Sequence, residues 1–158
     1  MNELPEGMLA KGRKPVQDFT DDEKLYRAFP PDCLDGTALE IDALELPDMS
    51  VNRGKFGPPE WMLLLDVFTG FGVAAFCVGD IPKELLHRGV ERFTSKPFHS
   101  PTPQNYPHSE IRMFNGHGLH INAKDRLDPD LDLRWRERLL QRTRVVIRPG
   151  GSRAVVAS

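Results

Sequence analysis

The sequence predicts a single compact α+β domain with a mostly antiparallel sheet and several short helices, and three observations predict it. The apolar runs are short and switch between helical and alternating spacing along the 158 residues. Fourteen prolines interrupt the chain and exclude long helices. An alternating segment on either side of Asn115-Gly116-His117-Gly118 reads as a β-hairpin near residues 108–124. Short helices mixed with strands and a hairpin favour α+β over a doubly wound sheet. Residues 1–17, without periodicity, read as a flexible N-terminal arm, 18–150 as the domain and 151–158 as a C-terminal tail.

The elements follow in order. Thr20-Asp21-Asp22-Glu23 has the form of a capping box and predicts a helix through Leu25, Tyr26 and Phe29, stopped at Pro30-Pro31. Residues 37–51 fit either short strands broken by a slip or a marginal helix ended by Pro47. Asn52–Gly57 reads as a basic turn carrying Arg53 and Lys55, and Pro58-Pro59-Glu60 as the start of a helix ending near Thr69-Gly70. Gly72–Val78 is the clearest buried strand. Asp80 is placed to cap a helix from Pro82 to Arg88, with Gly89 as its stop and a strand over Val90–Phe93. Ser95–Pro107 contains four prolines and reads as extended loop. Asp128-Pro129 opens a helix to about Arg142, and Thr143–Arg148 forms a last strand.

Composition bounds the function. Nothing at Met1–Gly7 resembles a secretory signal and no apolar run approaches membrane-spanning length, so the expectation is a cytoplasmic protein without membrane association. Cys33 and Cys77 lack zinc-type partners and are read as reduced. Cys77 sits in an apolar run, where burial makes a poor nucleophile. No Rossmann, P-loop, nucleophile-elbow or kinase pattern occurs, and no cofactor is implied. Charge is uneven. Residues 1–50 hold 12 acidic and 5 basic side chains, whereas 134–158 hold 1 and 7. That asymmetry suits either a basic surface for an anionic partner or an acidic segment covering a basic one.

The hairpin carries the most chemistry. A two-residue turn mixes polar and apolar side chains on both faces. A three-residue turn pairs Met113 with Leu119 and Arg112 with His120, placing Ile111, Met113, Leu119, Ile121 and Ala123 on one face. His108, Glu110, Arg112, His120, Asn122 and Lys124 then share the other. Burial of the apolar set, at about 1.5–3 kcal/mol per large side chain, selects that register. A carboxylate and imidazoles beside an arginine are the set for metal-independent, ribonuclease-like phosphodiester cleavage: Glu110 or His108 as base, His120 as acid, Arg112 as anion clamp. Tyr106 and Asn105, just before the strand, are placed to contact a base or phosphate. Zinc is disfavoured because Arg112 lies opposite His120 and His117 sits apart at the turn. His87 and His99 read as surface or helix-end residues. The fragment Asn105-Tyr106-Pro107-His108 is similar to the Tyr-Pro-His segment of fungal guanyl-specific ribonucleases, which implies active-site roles for Tyr106 and His108. The likeness covers four residues.

Arg134, Arg138 and Arg142 recur at helical spacing beside the stripe Leu131, Trp135 and Leu139. The ridge suits RNA or another phosphate-bearing ligand, or a protein partner. Two function classes therefore stand: a ribonuclease-like enzyme using the hairpin face, and a non-catalytic interaction module using the acidic N-terminal half and the basic C-terminal helix.

Overall fold

The computed structural model describes residues 3–122, 124–150 and 152–153. Its strands are β1 (Lys24–Phe29), β2 (Leu34–Asp35), β3 (Ala38–Leu39), β4 (Met49–Arg53), β5 (Gly72–Cys77), β6 (Glu84–His87), β7 (Glu91–His99), β8 (His108–Phe114), β9 (His120–Ile121), β10 (Arg144–Arg148) and β11 (Ser152–Arg153). The one α-helix among the described residues is α1 (Pro129–Leu140). The large sheet runs β11-β10-β5-β1-β4-β8-β7-β6, with β9 beside β8, while β2 and β3 form a separate small hairpin. Every named pairing is antiparallel. One domain with a mostly antiparallel sheet and few helices is what the sequence predicts in outline, with more strand than expected. No described helix is long and apolar enough to cross a membrane.

The main core lies between the sheet and α1. Leu25, Val51, Phe76, Ile111 and Met113 pack against Leu131, Trp135 and Leu139. Asp128 caps α1 by accepting the N–H groups of Asp130 and Leu131. Trp135 is fully buried, and its indole N–H donates to the buried Ser95 hydroxyl at 2.8 Å.

Four expected elements form differently. Residues 24–29 are a strand, not a helix, because β1 lies between β4 and β5 and pairs along its whole length with β5. Glu23, expected to close a capping box, instead meets Arg53. Residues 84–87 are a strand, because Arg88 (φ +53°) and Gly89 (φ +74°) both take the left-handed backbone of a tight hairpin turn into β7. Asp80 accepts from the Cys77 N–H, closing the short 3-10 turn Val78–Asp80 rather than capping a helix over residues 82–88. β7 also continues through Pro97 to His99, where a loop was expected. β6 stops pairing at Thr94, so the missing proline N–H falls on an otherwise open edge. The Gln17 side chain covers that edge, donating to the Pro97 carbonyl and accepting from the His99 N–H. Residues 59–64 and 66–68 are 3-10 turns rather than one helix. Cys33 and Cys77 are free.

The segment expected as a flexible arm makes specific contacts. Met8 is buried, the Tyr106 N–H donates to its carbonyl, and Arg13 stacks 3.7 Å above the Tyr106 ring. Further along, the arm meets Arg53, which is fully buried at the end of β4 rather than exposed in a basic turn. The Arg53 guanidinium forks onto Glu23, donates to the Val16 carbonyl and Asp18, and lies between the rings of Phe19 and Phe56. Burial lowers its pKa, but the hydrogen bonds it donates to Glu23 and Asp18 outweigh this and hold it raised. Hydrogen bonds from Lys55 and then Arg53 bring the Asp18 carboxyl down to about 2.

His99 completes this end of the core and is buried, contrary to the surface reading. The Val16 N–H donates to its Nδ1 at 2.9 Å, so Nε2 carries the proton and donates to the Tyr106 carbonyl at 2.8 Å. Burial pushes its pKa below 6.5. The unfolded chain therefore takes up a proton before the folded one does. The stabilisation is complete above pH 6.5 and declines as pH falls from there through the lowered value. Amide exchange at Val16, corrected for its intrinsic rate, is expected to quicken across that window. A corrected rate that stays flat below pH 6.5 would sink this reading.

Candidate functional site

β8 lies between β7 on one side and β4 and β9 on the other, so its outward residues sit in the middle of an exposed sheet face. Its burial alternates: Ser109, Ile111 and Met113 point to the core, whereas His108, Glu110, Arg112 and Phe114 are half-buried on the other side. The division into faces is the expected one. The pairing differs: Met113 faces Ile121 and Phe114 faces His120. This is a shift of two residues, and a shift of two preserves which side chains share a face. A five-residue loop results, in which the Asn115 side chain accepts the N–H groups of His117 and Leu119. Leu119 leaves the apolar face and is 63% exposed. Ala123, expected on that face, lies outside the described residues.

Around the outer ends of β7 and β8 the face is aromatic and cationic. Phe98 and Phe114 lean together with ring centroids 5.8 Å apart, above the cross-strand pair Lys96 and Arg112. The Lys96 ammonium lies 5.1 Å from the Phe98 ring and 6.0 Å from Phe114, and the Arg112 guanidinium lies 4.8 Å from Phe98. Glu110 pairs with Arg112 at 3.2 Å. His120, its ring tilted 44° to that of Phe114 with centroids 5.7 Å apart, bonds through Nε2 to Asp48 at 2.6 Å. Asp48 is a member of the group that sequence reading missed. It precedes β4 with φ +61°, a left-handed conformation that aspartate tolerates better than most residues. The sole sequence signal was the Leu46-Pro47-Asp48 break before a strand.

The structure does not bring the four expected catalytic residues together. His108 is six residues along β8 from Phe114, the partner of His120, which separates the two positions by about 20 Å at strand rise. His108 donates from Nδ1 to the Ser100 carbonyl at 2.8 Å, and Nε2 meets the Ser50 hydroxyl at 3.3 Å. Arg112 and His120 lie toward the other end, with Glu110 between, two residues from His108 and paired with Arg112.

The expected binding residues divide likewise. Tyr106 is buried, and its hydroxyl is already donated to the Lys14 carbonyl. Asn122 is exposed beyond β9, where its side-chain oxygen accepts from the Lys124 N–H. Arg134 is tied to Asp130 and to the Leu86 carbonyl. Arg138 and Arg142 are exposed beside Lys83 on a polar groove of about 480 Å³. Arg136 belongs to the acidic segment instead, bonded to Asp132 and the Leu44 carbonyl. The Asp132 bond raises its pKa, and Asp42 and Glu45 add to that.

Among the described residues one group could gather metal ligands: His87, Asp128 and Asp130, with ligand atoms within 4.8 Å. Asp128 caps α1 through Oδ1 and turns Oδ2 toward His87 at 3.5 Å, and Asp130 is paired with Arg134. No protein-family model matches the chain, nor does any curated protein or solved structure.

Proposed function

We propose that the outer face of β7 and β8 binds single-stranded RNA. The observation that carries this reading is the pair of half-buried rings, Phe98 and Phe114, on adjacent strands with Lys96 and Arg112 between them. Single strands expose bases whose π faces stack on aromatic side chains, while cations beside the rings meet the phosphates. A sheet supplies a rigid platform for both, with no need for a deep groove. A specific observation favours a second, catalytic component: the bond from His120 to Asp48 fixes the imidazole beside this platform, as proton transfer requires. In that ribonuclease-like step the 2′-oxygen attacks the neighbouring phosphorus as the bond to the 5′-oxygen breaks; His120 takes the 2′-hydroxyl proton and returns it to the departing 5′-oxygen, and Arg112 holds the phosphate. His108 takes no part, because of the separation along β8.

The test is fluorescence anisotropy with a labelled single-stranded RNA at low salt. Phe98→Ala with Phe114→Ala is expected to weaken binding by about 1–3 kcal/mol for each base that loses its ring. With Lys96 and Arg112 as the phosphate contacts, log affinity against log salt is expected to fall with a slope of about −1.4. The same RNA in EDTA is expected to be cut by the wild type and left intact by His120→Ala. Equal affinity for RNA in the double variant and the wild type would refute the binding reading. Cleavage unchanged by His120→Ala would refute only the catalytic one.

A further inference from the structure

At the His108 end of the same face lies a cavity of about 240 Å³. Its sheet side is polar. Asn52 on β4 faces His108 on β8, and Asn105 reaches over from the preceding loop. The two asparagines are almost fully buried and exchange a reciprocal pair of hydrogen bonds, of 3.0 and 2.7 Å. Each carboxamide has two N–H donors and two lone-pair positions on its oxygen, so each keeps one donor and one acceptor beyond that exchange. The opposite wall is apolar, formed by Met62 and Phe68 from the two 3-10 turns and by Leu65 at their junction. His108 is held in one tautomer at the edge by the Ser100 carbonyl.

We infer that this cavity receives a nucleobase, and that in the bound state it holds one base of the RNA strand crossing the Phe98–Phe114 platform. The volume lies just below the range of about 300–1,000 Å³ that takes drug-sized ligands, which suits a single planar heterocycle. A nucleobase offers adjacent donor and acceptor groups on one edge and two apolar faces. Those features match an amide pair backed by Met62 and Phe68. Asn52 and His108 are on the same sheet face as Glu110 and Phe98, so the cavity and the platform share a continuous surface. The choice of ligand rests on the RNA-binding reading. The cavity and its amide pair do not.

Titration of the full chain with nucleoside 5′-monophosphates, followed by NMR, tests this. Saturable shifts of the Asn52 and Asn105 side-chain amides are expected with the nucleotides and not with ribose 5-phosphate. Gln104 is an exposed residue at the cavity lining, and Gln104→Trp is expected to abolish those shifts by filling the mouth. The same variant is expected to weaken oligonucleotide binding about tenfold, the loss of one base contact. Absence of amide shifts, or equal shifts with ribose 5-phosphate, overturns the inference. So does unchanged oligonucleotide affinity in Gln104→Trp. If nucleotides shift the amides while the wild type binds no RNA strand, the platform reading fails and the nucleobase assignment stands. The converse pattern, RNA binding without amide shifts, removes the cavity and leaves the platform.

Discussion

Arg53→Ala is expected to cost about 3–5 kcal/mol of stability, because it leaves a buried carboxylate without its cation. The Glu23 side chain is only 7% exposed, and both of its oxygens are bonded to the Arg53 guanidinium. Alanine removes that fork, deprives the Val16 carbonyl and Asp18 of donors, and opens the space between Phe19 and Phe56. Pairing Arg53→Met with Glu23→Gln removes the charge mismatch, and is expected to recover much of the loss through apolar packing between the two rings. Urea unfolding of the three proteins measures this. A loss below about 1 kcal/mol for Arg53→Ala would place the contact with ordinary surface ion pairs and contradict its assigned role.

Trp135→Ala is expected to have an effect of similar size, about 3–5 kcal/mol, for a different reason. Trp135 is completely buried at the centre of the stripe that joins α1 to the sheet, so alanine leaves a cavity that the backbone of α1 and β7 cannot close. The Ser95 hydroxyl also loses the indole donor. Trp135→Phe keeps most of the volume and loses only the hydrogen bond, and its cost is expected to be near 1 kcal/mol or somewhat above. Unfolding midpoints in the order wild type, Trp135→Phe, Trp135→Ala support this account. Coincident midpoints for wild type and Trp135→Ala would contradict it.

The sequence resolved features that depend on local chemistry. The Asp128 cap, α1 with its Leu131, Trp135 and Leu139 stripe, and the apolar β5 each follow from neighbours a few residues away. The two faces of β8 were legible too, because alternation survives any shift of two residues. What was not legible depends on long-range pairing. Leu25, Tyr26 and Phe29 fit a helical period as well as a strand, and the choice is made by β4 and β5, distant in sequence. Pro97 discouraged a strand until the open edge of β7 and the Gln17 side chain accounted for it. At the site, His108 and His120 share a face but lie too far apart to act on one phosphate, since a face gives direction and not distance. Asp48 had no periodic signal at all. It reaches His120 only because β9 continues along the same side of β8 as β4. Arg53 looked like an ordinary turn residue for a comparable reason: its carboxylate partners, Asp18 and Glu23, both lie before β1, far from it in sequence.

The central claim is that the β7–β8 face is where RNA binds. Backbone amide shift mapping with a short single-stranded RNA at low salt tests it most directly. The account predicts saturable changes centred on Lys96, Phe98, Arg112 and Phe114, extending to His120. No saturable change, or changes confined to the Lys83, Arg138 and Arg142 groove with the β7–β8 face silent, would contradict it.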